Sequence, residues 1–262
     1  MKQLKYLSSI IVLAALSVPC YALDGTEIMQ KALNAYYYPG DDQRAQAHMT
    51  ILDNQGRERI RDLTLLRLNL DSNDGKQKYY VYFNQPSDVK KMVFMAWKNI
   101  IREDDRWLYL PALDLVRRIA SSDERSSFVG SHFFYEDVSG RSLEEDNHQL
   151  TNQDDKYYFI QSTPKQPEKV EFSSYQVWVD VNTFLPMKIE YYDQQKAVYR
   201  IYQTLSFTDI EGHPTVTKAQ MEDTQTGGKT IVEYSAIKYS QGIPEKIFSE
   251  RYLRKTPKKY FK

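Results

Sequence analysis

Short segments with a hydrophobic period of two dominate this chain from residue 44 to residue 239, and turn residues separate them. Nearly a dozen such segments recur without a linker or a low-complexity break, whereas residues 24–37 alone have the spacing of an amphipathic helix. Alternation of apolar and polar residues is typical of antiparallel strands. The pattern therefore predicts a mainly β protein with few helices, built on one large curved antiparallel sheet.

The first 22 residues have the features of a cleaved secretory signal peptide. Lys2 and Lys5 precede an apolar run, and small residues lie close to Ala22, where a signal peptidase would cut. The run contains about 12 apolar residues, which is short of the roughly 20 that a membrane-spanning helix needs. We therefore expect export, with residues 1–22 removed and residues 23–262 forming a single domain with a basic C-terminal tail.

Charge and cysteine content exclude several classes of function. The chain has 35 basic and 35 acidic residues. Its net charge is therefore close to zero and gives no indication of nucleic-acid binding. Cys20 is the single cysteine, and it lies inside the predicted signal peptide. Pro19 before it does not fit a lipoprotein acylation signal. We expect the processed chain to have neither disulfide nor thiolate chemistry, and to depend on an apolar core.

Residues that could carry catalysis or bind a metal do not form a recognisable pattern. The four histidines are His48, His132, His148 and His213. Their spacing lacks the short pairings that place two imidazoles on one metal. Ser131 and His132 precede Glu136 and Asp137, but adjacent residues seldom form a triad, since nucleophile and base must face each other. The sequence therefore predicts no catalytic residue, no metal, no cofactor and no enzymatic activity.

The stretch from Arg106 to Arg141 joins an apolar strand to an aromatic loop. Trp107 and Tyr109 alternate with two leucines, which indicates a strand that is covered on both faces. The following loop is richer in aromatic residues than a solvated loop needs, and it contains a flexible glycine. Its candidate lid residues are Phe128, Gly130, Phe133, Phe134 and Tyr135. A packed loop without a lid function is the alternative.

Three segments of the chain resemble the LolA-like outer-membrane lipoprotein-sorting proteins of Gram-negative bacteria, in the branch often associated with exporters of the resistance-nodulation-division (RND) type. They are residues 107–119, residues 127–137 with the Tyr135-Glu136-Asp137 sequence, and residues 184–192. The resemblance implies a half-barrel, an open and strongly curved antiparallel sheet whose concave apolar face is covered by helices. It also implies a periplasmic carrier that shields lipid chains from water.

The implied function is a non-enzymatic carrier of lipids or lipoprotein acyl chains. Its implied partners are an inner-membrane exporter or release complex of the RND type and an outer-membrane acceptor. The strand residues expected to line its hydrophobic cavity are Met49, Ile51, Leu66, Leu68, Val81, Phe83, Phe94, Trp107 and Tyr109. A dry core closed by the helix is the alternative, because inward-facing apolar residues look alike in both cases.

Two other functions remain open at this stage. The chain is similar to RseB-type regulators, which use a related sheet to sense lipids or lipoproteins, although those proteins carry an additional domain. An enzyme that acts on lipids is disfavoured because no nucleophile geometry is evident. The basic tail, residues 254–262, could contact an anionic membrane surface or an acidic partner, or be disordered.

Overall fold

The computed structural model describes residues 23–70, 75–100 and 102–261, so the predicted signal peptide lies outside the described residues. Within these ranges three α-helices are present: α1 is Gly25–Tyr37, α2 is Tyr135–Ser139 and α3 is Glu250–Arg254. None of the described helices is both long and apolar enough to cross a bilayer.

Thirteen antiparallel strands of the described residues form one open sheet. In the first half they are β1 Asp42–Leu52, β2 Glu58–Asn69, β3 Gln77–Gln85, β4 Val93–Lys98, β5 Asp105–Leu110 and β6 Leu115–Ile119. In the second half they are β7 Asp146–Gln153, β8 Tyr157–Pro164, β9 Ser174–Asp180, β10 Pro186–Tyr192, β11 Val198–Ile210, β12 His213–Asp223 and β13 Gly228–Tyr239. The spatial order runs from β6 down to β1, then from β13 down to β7, so that β6 and β7 are the edges. The predicted mainly β fold with an open antiparallel sheet is confirmed.

Helix α1 begins with a capping box formed by Asp24 and Glu27. The backbone N–H of Glu27 donates to the Asp24 carboxylate at 2.8 Å, and the backbone N–H of Asp24 donates to the Glu27 carboxylate at 3.0 Å. The residues of its buried stripe are Ile28, Met29 and Ala32. This stripe packs on β8 and β9, which fixes the helix across one face of the sheet.

The sheet curves around its main hydrophobic cluster. One contiguous cluster contains buried residues from β1 to β6 and from β11 to β13, which are consecutive neighbours in the sheet. We call the face that carries this cluster the inner face. It is covered by α1 and by residues 120–145, which we call the cover segment.

The outer face of strands β2 to β5 is covered by the end of the chain. Residues 240–261, which we call the C-terminal strap, lie across these strands. Trp97 donates from its indole N–H to the Phe248 carbonyl at 2.8 Å, and the Tyr80 hydroxyl donates to the Tyr252 carbonyl at 2.7 Å. Strand β5 is consequently buried on both faces, as predicted. The Trp107 side chain lies on the outer face and the Leu108 side chain on the inner face.

Candidate functional site

Two neighbouring cavities lie between the inner face and its covering segments. The first has a volume of about 120 Å³ and is bordered by strands β1 to β3, β12 and β13 and by the end of α1. The second has a volume of about 90 Å³ and lies between α1, the cover segment and strands β9 to β12. A single water molecule needs only about 10–15 Å³ of such space. Each cavity therefore has room for several methylene groups.

Five of the nine predicted cavity residues lie on the inner face. Met49 and Val81 line the first cavity. Ile51, Phe83 and Phe94 belong to the same hydrophobic cluster but line neither of the two cavities. A substitution at Phe94 would therefore test the packing of the core rather than the binding of a ligand.

The other four predicted cavity residues lie on the opposite side of the sheet. Leu66 and Trp107 are buried beneath the C-terminal strap, and Leu68 and Tyr109 pack against the same outer cluster. The reason is the alternation of β2, in which Leu63 and Leu65 point inwards and Leu66 points outwards. The expectation that all nine residues share one cavity is therefore wrong for these four, because it placed the outward-facing residues of β2 and β5 on the inner face.

The lid candidates of the cover segment pack against the sheet. The ring of Phe128 is 2% exposed and lies 5.4 Å from Phe94 and 5.8 Å from Phe83, centroid to centroid. Phe133 lines both cavities, and Tyr135 lies 5.4 Å from Phe128. Two of these rings, Phe128 and Phe133, therefore form part of the cavity walls, and Tyr135 packs behind Phe128.

Polar contacts fasten the cover segment to strands on both sides of the cavities. Arg59 of β2 donates to the Gly130 carbonyl at 3.1 Å, and Thr230 of β13 accepts the backbone N–H of His132 at 3.0 Å. Arg200 of β11 lies 2.5 Å from the Asp137 carboxylate, with its guanidinium 3.6 Å from the centre of the Phe134 ring. The cover segment is thus bonded to strands of both halves of the sheet, β2 on one side and β11 and β13 on the other.

The wall between the two cavities was not evident from the sequence. It is formed by the residues common to both linings, namely Tyr36, Tyr37, Phe133 and Asp137. The Tyr37 hydroxyl donates to the Asp137 carbonyl at 3.1 Å, which joins α1 to the cover segment. Phe133 and Tyr36 therefore stand between the two cavities.

Buried cations on the inner face bind the carboxyl ends of the covering helices. Arg67 of β2 donates to the carbonyls of Tyr37 and Pro39 at the end of α1. Lys98 of β4 donates to the Ser139 and Gly140 carbonyls at the end of α2, at 3.2 and 3.0 Å. Burial lowers the pKa of Lys98. A cation at a helix C-terminus is favourable because the unpaired carbonyls carry partial negative charge.

One buried carboxyl of the cover segment has a strongly perturbed pKa. Burial raises the pKa of Glu136 to about 7, although the guanidinium groups of Arg141 and Arg125 lie 3.1 and 3.4 Å away. Both arginines also bind other carboxylates, such as Asp146 and Glu171, so that they compensate the Glu136 charge only in part. Desolvation therefore dominates at this position.

Substitution of Glu136 by glutamine should change the pH dependence of stability. Because the folded chain binds the Glu136 proton more readily than the unfolded chain does, the contribution of this group to the free energy of unfolding falls between pH 4.5 and pH 7. Glutamine cannot ionise, so the variant should gain on the order of 2–3 kcal/mol relative to wild type over that interval. Urea unfolding of both proteins at a series of pH values measures this. A difference that stays constant with pH would contradict the assignment.

The serine and histidine of the cover segment do not face each other as a catalytic pair. The Ser131 hydroxyl donates to the Phe133 carbonyl at 3.3 Å, whereas the His132 ring lies 2.8 Å from the Thr230 hydroxyl. Each side chain is therefore used to hold the segment in place. Among the described residues no group of three or more metal-ligating side chains is present.

Comparison with known proteins gives the same architecture. A family model with the description "Uncharacterized protein" matches residues 75–255, which is most of the chain. The search of curated proteins found no match. A protein of the DUF1329 family from Desulfovibrio piger is 25% identical, with a TM-score of 0.79 over 87% of this chain and 97% of that one.

Two further solved structures carry descriptions related to sorting. A domain from Vibrio parahaemolyticus, described as an outer membrane lipoprotein-sorting protein domain, is 27% identical, with a TM-score of 0.79 over 88% of this chain and 98% of that one. A LolA superfamily protein from Nitrosomonas europaea is 20% identical, with a TM-score of 0.68 over 88% and 100% of the two chains. At this lower identity the likeness establishes the shared fold.

Proposed function

We propose that this chain, which belongs to the family whose model matches residues 75–255 and shares its fold with the outer membrane lipoprotein-sorting protein domain of Vibrio parahaemolyticus, is a non-enzymatic periplasmic carrier of lipids or lipoprotein acyl chains. The pair of apolar cavities beneath the cover segment is the observation that carries this proposal. An acyl chain gains about 0.8 kcal/mol for each methylene group transferred from water into such a space. Apolar walls are sufficient for this task, and no reacting group is needed.

Opening of the cover segment is the conformational step that the carrier requires. The two cavities are small in the present arrangement, and Phe133 and Tyr36 stand between them. We propose that a lipid chain displaces these rings and occupies the merged channel. The contacts of Arg67 and Arg200 with the covering segments then set how easily the channel opens.

The partners and the compartment belong to the same proposal. A carrier receives its cargo from an inner-membrane donor, which we propose to be an RND-type exporter or a release complex, and delivers it to an outer-membrane acceptor. Removal of residues 1–22 during export would bring the remaining chain, residues 23–262, into the periplasm as one domain. The description of the Vibrio parahaemolyticus domain as an outer membrane lipoprotein-sorting protein domain supports this path.

A displacement assay tests the carrier proposal. Protein isolated from the periplasm and freed of lipid should bind an apolar fluorescent probe at one site, since the two cavities adjoin. A diacylated lipopeptide should displace the probe, whereas the same peptide without acyl chains serves as the control and should not. Absence of probe binding would contradict the carrier function. Release of free fatty acid from the lipopeptide during the assay would contradict its non-enzymatic nature.

A further inference from the structure

The turn between β5 and β6 presents apolar side chains to solvent. We call residues 111–115 the hairpin tip. Leu113 is 71% exposed, which makes it the most exposed large apolar side chain among the described residues, and Leu115 is 46% exposed. The tip lies at the sheet edge formed by β6, and none of its residues lines either of the two cavities. Its leucines therefore serve neither the core nor the cavity.

The C-terminal strap carries a concentration of positive charge. Residues 250–261 contain one acidic residue, Glu250, and five exposed basic residues, which are Arg251, Arg254, Lys255, Lys258 and Lys259. In the part of the chain that the structure describes, Arg254 is the one member of this group that forms an ion pair. The other four cations are available to an external anionic surface.

Arg254 holds the strap beside the hairpin tip. Its Nε lies 3.0 Å from the Asp114 carboxylate, and its Nη2 donates to the Asp114 carbonyl at 3.3 Å. The same guanidinium lies 5.9 Å from the centre of the Tyr109 ring. These contacts place Arg254 beside the exposed leucines, and the Phe261 ring packs on Tyr80 and Tyr82 of β3, so the strap and its cations lie on the same outer face as the tip.

A lipid surface fits this combination better than a protein does. A stable protein interface buries about 800 Å² on each partner around an apolar centre, and two leucines on a narrow tip do not provide such a centre. The interfacial region of a bilayer accepts single apolar side chains, while anionic head groups attract nearby lysines and arginines. The charge of the strap thus selects a negatively charged membrane.

We propose that the hairpin tip and the C-terminal strap together form a docking site for a membrane surface rich in anionic phospholipid. Leu113 and Leu115 enter the head-group region, and Arg251, Lys255, Lys258 and Lys259 contact lipid phosphates. This inference goes beyond the carrier function, because it concerns the outer face and does not depend on occupancy of the cavities.

Vesicle flotation of the purified full chain tests the docking site. Wild-type protein should float with vesicles of equal parts phosphatidylcholine and phosphatidylglycerol, and about tenfold less with phosphatidylcholine alone, since several lysines act on the anionic lipid. High salt should abolish the difference. Charge reversal by Lys255→Glu, Lys258→Glu and Lys259→Glu, or replacement of both tip leucines by Leu113→Glu and Leu115→Glu, should reduce flotation by about tenfold or more.

Matched variants elsewhere on the surface serve as controls. Lys31→Glu, Lys156→Glu and Lys169→Glu change the net charge equally, and Leu205→Glu with Phe207→Glu replaces another exposed apolar pair. Both control proteins should float as wild type does. The docking site would be overturned if wild-type protein did not float with anionic vesicles. It would also be overturned if the tip and strap variants floated no less than the controls. Binding of the apolar probe, measured on the same variants, reports separately on the carrier function.

Discussion

Replacement of Ala47 by phenylalanine should strongly weaken binding of the apolar probe while the protein remains folded. Ala47 is 4% exposed on β1 and lines the first cavity, whose volume is about 120 Å³. A benzyl group directed into this space occupies the volume that a lipid chain would use. We expect the affinity for the probe to fall at least about tenfold, with a change of less than about 1.5 kcal/mol in the free energy of unfolding, because the ring fills space that is empty in wild type.

Ala96 provides the matched control for this substitution. It is fully buried on β4 and belongs to the same hydrophobic cluster, but it lines neither cavity. Ala96→Phe should therefore overpack the core and lower the free energy of unfolding by about 1–3 kcal/mol, while the folded fraction still binds the probe. If Ala47→Phe destabilised the protein as much as Ala96→Phe does, or if it bound the probe as wild type does, the cavity would not be the binding site.

The strands that the hydrophobic pattern predicts are those in the interior of the sheet. The two edge strands, β6 and β7, lack a clear alternation of apolar and polar residues, and the lack has a physical reason. Strand β7 has the sequence Asp-Asn-His-Gln-Leu-Thr-Asn-Gln, and most of its side chains are exposed or half-buried. Strand β6 is five residues long and contains Arg117 and Arg118. Short, polar edges discourage pairing with other chains, and the same property removes the alternation that identifies a strand.

The inner and outer faces of the sheet could not be assigned from the sequence. The segment Leu63-Thr64-Leu65-Leu66-Arg67-Leu68 is apolar on both sides, so alternation alone does not say which side meets the cavity. The answer depends on the C-terminal strap, which lies far away in the sequence and supplies Ile243, Ile247 and Phe248 to the outer cluster. The aromatic loop was a better guide, since Phe128 and Phe133 line the first cavity.

The contacts of the cover segment are the least predictable part of the candidate site. Arg67 and Arg200 are charged residues within strands, where a solvated position is the usual expectation. The structure instead leaves Arg67 2% and Arg200 5% exposed, each bound to a segment that covers the cavities. A buried cation on a strand, opposite a carboxylate or a helix end in a distant segment, cannot be recognised without the fold.

Substitution of Arg200 by methionine should be among the most destabilising single changes on the inner face. Arg200 lies 2.5 Å from the Asp137 carboxylate and 3.2 Å from the His132 carbonyl, which its Nη2 group donates to. Loss of the guanidinium leaves the Asp137 side chain, which is 13% exposed, without its counter-charge. Breaking a buried pair in this way costs about 3–5 kcal/mol, and urea unfolding should show a decrease of that order.

Two further variants separate the ion pair from nonspecific damage to the strand. Adding Asp137→Asn to Arg200→Met removes the uncompensated charge and should restore part of the lost stability. Lys218→Met breaks a pair with Glu233 of similar geometry, at 3.1 Å, whose partners are 38% and 55% exposed, and should cost less than about 1 kcal/mol. If the cover segment is the lid of a carrier, the Arg200→Met protein should also take up the apolar probe faster than wild type at a denaturant concentration where both are folded. A double variant no more stable than Arg200→Met alone would show that the cost arises from packing on Phe134 rather than from the Asp137 charge.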